Sequence, residues 1–136
     1  MRRSERALRA LCRAELKGLD LELPLDVAQL CERYGDRRGR PIRLIEHALP
    51  AGVPNGIWLA ATDADYFFHQ AHTSRLHRNQ IVVHEFGHLI AGHQILGEAS
   101  AAGIAALTQD ESAAALRRTC YSDDAEWEAE MLASLI

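Results

Sequence analysis

The chain has 136 residues and a mass of 15.1 kDa, enough for one domain with a hydrophobic core, expected to span 1–136. Its net charge of -4 argues against direct nucleic-acid binding, and no apolar run approaches the ~20 residues of a membrane span. Cys12, Cys31 and Cys120 are widely separated and odd in number, which predicts a reduced, cytoplasmic protein without a disulfide framework.

Two helices are predicted over residues 4–35. Ser4 can cap the first helix, which carries an apolar stripe and ends at Gly18. The second helix starts near Leu25, just after a proline, and is expected to stop at Gly35.

A small sheet is predicted over residues 41–69. The apolar runs at 41–45, 57–60 and 66–69 are separated by polar turns and by a loop rich in proline and glycine. Three such strands are expected to pair antiparallel and to pack one face on the following helix. The predicted fold class is α+β, with helices around this sheet.

Residues 74–95 are predicted to form one helix that carries the motif His-Glu-x-x-His over 84–88. His84 and His88 are four residues apart, slightly more than one turn, so both rings project from one face and can bind one cation. Glu85 leaves the helix about 100° further round, where the general base for a metal-bound water is expected.

The C-terminal part is predicted to form helices over residues 108–136. Thr108 and Glu111 have the spacing of a capping box before a short helix. The last helix is expected to begin at Ser122 or Asp123 and to continue to the final residues.

A catalytic zinc site needs a third protein ligand and an open position for water. Glu126 and Glu130 lie on one face of the last helix, with small alanines that allow close approach to the helix of His84. Glu126 is the expected third ligand, and Glu130 is expected to contact the outer nitrogen of a ligand histidine. Glu128 is the alternative ligand because it stands among apolar residues; Glu126 would then be only a capping acid.

Hydrolysis also needs a donor for the oxyanion that forms in the transition state. The candidates for this role or for substrate contacts are His72, His93 and Tyr121, with His69 as a further one. Spacing does not decide among them, and an ordinary surface or packing role is the better explanation for each. The strand at 57–60 is predicted to bind an extended peptide by strand addition.

Two motifs in succession resemble the ImmA/IrrE family of metallopeptidases. They are His-Glu-Phe-Gly-His at 84–88 and Glu-x-x-Ala-x-x-Leu-Ala at 126–133, and the segments at 40–42 and 54–58 are also similar to that family. Leu132 stands where the family usually has phenylalanine, and related chains usually continue further.

The resemblance implies a zincin-like fold and a zinc metalloendopeptidase with one zinc ion per chain. His84, His88 and Glu126 would be the ligands and Glu85 the catalytic acid and base, as in gluzincins, the thermolysin-like enzymes. The implied substrate is a helix-turn-helix (XRE-type) repressor or antitoxin that controls stress, phage or mobile-element genes.

Two other functions fit the same sequence. The first is a non-catalytic regulatory module that zinc stabilises and that binds a transcription factor. The second is a metal-free binding domain. Glu85 separates the enzyme from the zinc-stabilised module, because only the enzyme needs its carboxylate.

Overall fold

The computed structural model describes residues 2–48, 56–60, 63–93 and 121–136. These residues form four helices and three strands, an α+β arrangement: α1 (Glu5–Leu16), α2 (Val27–Arg38), β1 (Ile42–His47), β2 (Gly56–Ala60), β3 (Asp65–Gln70), α3 (Arg75–Ala91) and α4 (Asp123–Leu135). The predicted capping-box helix that begins at residue 108 lies outside the described residues. None of the described helices is long and apolar enough to cross a membrane.

Capping residues set the ends of the first two helices. Ser4 caps α1 through its hydroxyl, as predicted, and Asp26 caps α2 by accepting two backbone N–H groups of its first turn. The predicted stop of α2 at Gly35 is wrong, because the helix continues to Gly39, which ends it with a left-handed φ of 71°. Gly35 instead gives room for the chain that returns over the helix, since a Cβ there would lie 3.0 Å from the Arg40 carbonyl oxygen.

The three strands form a mixed sheet in the order β1-β3-β2. Trp58 of β2 pairs with Phe67 of β3 in the antiparallel direction. Leu44 of β1 pairs with the same Phe67, but β1 and β3 run parallel. The predicted all-antiparallel sheet is therefore wrong for the β1–β3 pair.

The burial of β3 explains this order. Phe67 and Phe68 point to opposite faces of the strand and are both buried, whereas β1 exposes Arg43 and Glu46, as edge strands commonly do. β3 therefore takes the centre of the sheet. The chain reverses direction between β1 and β2 and again between β2 and β3, so β1 and β3 run the same way.

Asp65 at the start of β3 connects the sheet to the end of α2. Its side chain is buried, and Oδ2 accepts hydrogen bonds from Arg38 Nη2 at 2.5 Å and from Arg40 Nε at 2.9 Å. Oδ1 accepts the Trp58 indole N–H at 2.8 Å. Burial alone would raise the pKa of Asp65, but these hydrogen bonds outweigh it and hold the pKa below its usual value.

Helix α3 carries both motif histidines and packs against the core. Phe86 is fully buried and meets the Tyr34 ring edge-on, with centroids 5.0 Å apart. Ser74 caps the start of the helix, because its hydroxyl accepts the His77 N–H. The end at Ala91 comes earlier than the predicted residue 95, because Gly92 takes a left-handed φ of 70° and closes the last turn.

Helix α4 lies against α3. Ser122 caps it by accepting the N–H of Ala125, so it begins where the sequence predicts. Ala125, Ala129 and Leu132 are buried, and the small size of the two alanines lets the helices approach closely. Glu126 is thereby brought beside the motif on α3.

Candidate metal centre

His84 and His88 on α3 meet Glu126 on α4. The Nε2 atoms of the two rings are 3.1 Å apart. Glu126 Oε2 lies 3.0 Å from His84 Nε2, and its Oε1 lies 3.3 Å from His88 Nε2. The structure thus brings together the three residues expected as ligands, and they form a group that can hold a metal ion. We call them the triad.

The spacing of the triad fits a zinc ion. Ligand atoms about 2.0–2.1 Å from a tetrahedral zinc lie about 3.3 Å from one another. The two Nε2 atoms are 3.1 Å apart, close to that value, and each has one oxygen of Glu126 at a similar distance, Oε2 at 3.0 Å from His84 and Oε1 at 3.3 Å from His88. One ligand atom from each residue lies within 4.8 Å of the other two. Two imidazoles and one carboxylate are also a known donor set of catalytic zinc sites.

The charges of the triad are coupled. Burial lowers the pKa of His88, whereas for His84 the lowering by burial is outweighed by the nearby carboxylates of Glu126, Glu85 and Glu130, and the pKa is raised. Hydrogen bonds from both histidines lower the pKa of Glu126 to about 2. Glu126 is therefore a carboxylate at neutral pH, as a metal ligand must be.

Glu85 stands beside the triad. Its side chain is buried, and its Oε2 has no hydrogen-bond partner among the residues described. Burial, assisted by Glu126 and opposed by His84, raises the pKa of Glu85 to about 7. Gly56 of β2 leaves room for this carboxylate, since a Cβ there would lie 3.3 Å from Glu85 Oε1 and would overlap Ile81.

Tyr121 covers one face of His88. The two rings stack with centroids 3.6 Å apart and planes 9° apart. The Tyr121 hydroxyl is buried, and no described residue forms a hydrogen bond with it. Burial and the nearby Glu85 and Glu126 raise its pKa above the usual value, so the hydroxyl keeps its proton and is available as a donor.

Glu130 lies on the outer side of His84, next to the nitrogen that the sequence analysis assigns to it. Its Oε1 is 2.6 Å from His84 Nδ1. The contact lacks the geometry of a hydrogen bond, however, and His84 Nδ1 is buried without one in the described part of the chain. The Glu130 side chain is mostly exposed, which limits what the contact contributes.

Glu128 points away from the triad, which disfavours it as the alternative third ligand. Its Oε1 lies 3.0 Å from His93 Nε2, and both its oxygens accept hydrogen bonds from Arg3. Burial would raise the pKa of Glu128, but the hydrogen bonds from Arg3 and His93 lower it to about 2. Glu128 is therefore an anion enclosed by basic groups.

His93 lies behind His88 and not in the cleft. The turn at Gly92 folds the chain back, so that the His93 N–H donates to the His88 carbonyl at 3.1 Å. Its ring Nδ1 is 2.9 Å from His88 Nδ1, on the side opposite the triad. The prediction of His93 as an oxyanion donor does not agree with this position.

Arg3 is the residue of this region that the sequence analysis missed. It is one of several arginines in the first thirteen residues, and their spacing does not distinguish it from the others. The only signal is that its neighbours Ser4 and Glu5 begin α1, which leaves Arg3 just outside the helix and able to reach elsewhere.

The remaining histidine candidates lie elsewhere. His72 is exposed on the turn before α3, outside the part of the cleft that the described residues line. His69 is buried in β3 and borders a separate cavity of about 490 Å³.

A cleft of about 780 Å³ opens beside the triad. Its walls include Gly56, Ile57 and Trp58 of β2, together with Glu85 and the Tyr121 side chain. The site therefore combines a possible cation position, a buried carboxylate and a hydroxyl donor at the wall of one cleft. No family model, curated protein or solved structure matches the chain.

Proposed function

We propose that the chain is a zinc-dependent endopeptidase. The observation that carries the proposal is the position of Glu85 beside the triad, at the wall of the cleft. Its Oε2 is buried and has no hydrogen-bond partner among the described residues. A structural zinc site has four protein ligands and needs no such carboxylate, whereas a catalytic site has three and an adjacent base.

His84, His88 and Glu126 would hold one zinc ion per chain. Zinc bound there supplies Lewis-acid activation of a water molecule and of the scissile carbonyl. Two neutral imidazoles and one carboxylate leave one unit of positive charge at the site, which also favours the developing oxyanion.

Glu85 moves the proton in this proposal. Its Oε2 accepts a proton from the attacking water and then delivers it to the leaving nitrogen. Burial raises the pKa of Glu85 to about 7, while a cation at the triad would lower it, and a group balanced in this way can take up and release a proton near neutrality.

Tyr121 is the proposed donor to the oxyanion. Its hydroxyl is protonated, buried and without a hydrogen-bond partner in the described chain, and its ring is fixed by stacking on His88. A hydroxyl held in this way needs no reorganisation when charge develops on the carbonyl oxygen.

The substrate is proposed to bind as an extended strand along β2. β3 occupies one edge of β2, and residues Gly56, Ile57 and Trp58 of β2 also line the cleft. A peptide added at the other edge would make main-chain hydrogen bonds and pass Glu85. The position of β2 and the motif helix α3 at the wall of one cleft also supports the zincin-like packing that the resemblance implies.

The substrate class rests on the resemblance to ImmA/IrrE metallopeptidases. We propose a cytoplasmic helix-turn-helix repressor or antitoxin as the protein substrate. The net charge of -4 agrees with a protein that binds the regulator itself and not the DNA to which the regulator binds.

The decisive experiment compares the wild type with Glu85→Gln, both loaded with one equivalent of zinc, on a library of fluorescence-quenched peptides. We expect the wild type to cleave and a chelator to stop cleavage. Glu85→Gln should keep its zinc and lose activity by at least about a hundredfold, which is the usual size of general acid–base catalysis. Glu32→Gln, an exposed position on α2, is the matched control and should cleave like the wild type.

Two outcomes would refute the enzyme. If wild type and Glu85→Gln both bind zinc and neither cleaves, the zinc-stabilised binding module becomes the better explanation. If the wild type binds no zinc under conditions where it is folded, the metal-free binding domain becomes the better explanation.

A further inference from the structure

We infer that Arg3, Glu128 and His93 form a positioning chain that fixes the proton of His88 on Nδ1 and presents its Nε2 lone pair to the triad. This inference rests on the proposed zinc site and adds three residues to it. None of the three touches the cation position, so they are positioning residues and not catalytic ones.

The first link is the pair of histidine rings. Nδ1 of His88 and Nδ1 of His93 are 2.9 Å apart, so one of them must donate and the other accept. A neutral imidazole has one N–H and one lone pair. His88 can therefore offer Nε2 to a cation only if it donates from Nδ1, and His93 must then accept.

The second link decides the direction of the chain. If His93 accepts at Nδ1, its proton lies on Nε2, which is 3.0 Å from Glu128 Oε1. An ionised carboxylate can only accept. Glu128 thus fixes the tautomer of His93, and His93 in turn fixes the tautomer of His88.

The third link holds Glu128 in place. Its Oε1 accepts from Arg3 Nη1 at 2.5 Å and its Oε2 accepts from the Arg3 backbone N–H at 2.8 Å. Arg3 also donates from Nη2 to the carbonyl of Ala91 at 3.0 Å, which connects the positioning chain to the end of α3. The Glu128 side chain is 5% exposed, so solvent cannot readily take over these hydrogen bonds.

The surroundings of His88 make the chain effective. The ring is 0% exposed, and Tyr121 stacks on its face at 3.6 Å. Stacking restrains the plane of the ring, while His93 determines which nitrogen carries the proton. By contrast, His84 Nδ1 has no hydrogen bond within the described residues, so this chain is specific to His88.

The test compares His93→Leu with His93→Asn. Both side chains are smaller than histidine, but only asparagine keeps an oxygen that can accept the His88 Nδ1 proton. We expect zinc affinity, measured by competition with a chromogenic chelator, to fall about 10–100-fold in His93→Leu and Glu128→Gln. In His93→Asn most of that affinity should return.

Adjacent arginines provide the matched control. Arg3→Ala should weaken zinc binding, whereas Arg2→Ala should not, although Arg2 also contacts α4 through the Trp127 ring. A combined His93→Leu, Glu128→Gln variant should bind zinc no worse than His93→Leu alone, because both changes interrupt the same chain.

A measurement on metal-free protein tests the positioning chain independently of peptidase activity. Glu126 Oε1 lies 3.3 Å from His88 Nε2 and attracts a proton to that nitrogen when no metal is bound, so the readout uses metal-free Glu126→Ala. Proton–nitrogen correlation spectra of this labelled variant should show the His88 proton on Nδ1, and partly on Nε2 when His93→Leu is added. A proton on Nε2 in Glu126→Ala alone, or equal zinc affinity in His93→Leu and the wild type, would overturn the positioning chain. A protein with the expected spectra and affinities that cleaves no peptide would refute the peptidase alone.

Discussion

Gly87 of α3 lies directly against Ala129 of α4, so closely that a Cβ at position 87 would be 2.9 Å from the Ala129 carbonyl oxygen. That distance is below any ordinary contact of a methyl group with backbone. The glycine inside the motif therefore sets the spacing of the two helices that carry the triad.

Gly87→Ala tests this spacing. The added methyl group should push α4 away and destabilise the fold by about 1–3 kcal/mol, as overpacking of a core does. Since Glu126 moves with α4, zinc affinity should fall as well, and a competition titration would measure it. Gly35→Ala is the matched control: its Cβ would also be tight, at 3.0 Å from the Arg40 carbonyl, but it lies in α2. If both variants lose equal zinc affinity, the effect is general destabilisation.

Glu126→Gln tests the third ligand. A neutral amide is a poor zinc ligand, so we expect the zinc content after dialysis to fall from near one per chain to a small fraction. Glu130→Gln on the same helix should retain its zinc, because Glu130 is mostly exposed and lies against the outer nitrogen of His84. Elemental analysis of both purified variants is the measurement, and zinc retained by Glu126→Gln would contradict the assignment.

Tyr121→Phe separates stability from activity. Removing a buried hydroxyl that has no partner among the described residues should stabilise the metal-free protein, by about 1 kcal/mol, because an unsatisfied group carries a desolvation cost. The same change should lower kcat for peptide cleavage about 100-fold or more and leave zinc affinity near that of the wild type. Unchanged kcat would exclude Tyr121 as the oxyanion donor.

Asp65 predicts a pH dependence of stability. Its pKa is lowered in the folded protein, so its contribution is complete above the unfolded pKa of about 3.9 and is lost as the pH falls towards the folded value. Asp65→Asn should cost about 3 kcal/mol at pH 7, since it leaves Arg38 and Arg40 facing a neutral group. The difference from the wild type should shrink as the pH falls below 4.

Urea unfolding at several pH values from 2.5 to 7 measures this difference. Asp63→Asn is the control, because Asp63 is exposed and accepts a hydrogen bond from the Tyr66 hydroxyl rather than from a pair of arginines. A constant difference for Asp65→Asn over the whole range would refute the interpretation.

Structural features that depend on residues close together in the sequence can be predicted from sequence patterns. The spacing of His84 and His88 follows from one turn of helix, and the caps Ser4 and Ser122 lie where short-range hydrogen bonding predicts them. Helix periodicity also places Glu126 and Glu130 on one face, but it does not decide between Glu126 and Glu128 as the third ligand.

Features that depend on contacts between distant parts of the sequence cannot be predicted in this way. The parallel pairing of β1 with β3 depends on which strand is buried on both faces, which becomes apparent only once the helices are packed. The contact between Arg3 and Glu128 joins residues 125 positions apart, and no periodicity encodes it. The position of His93 depends on the left-handed turn at Gly92, which the periodicity of a helix over 74–95 does not predict.

The three side chains of the triad differ in exposure, from 0% for His88 through 19% for His84 to 45% for Glu126. In the proposed zinc protein this gradient orders the events of metal exchange. A chelator entering from solvent meets Glu126 first and reaches His88 last, so Glu126 dissociates early and His88 retains the ion longest. The ligand on α4 therefore determines how fast zinc exchanges, and the histidines on α3 determine how long zinc stays bound.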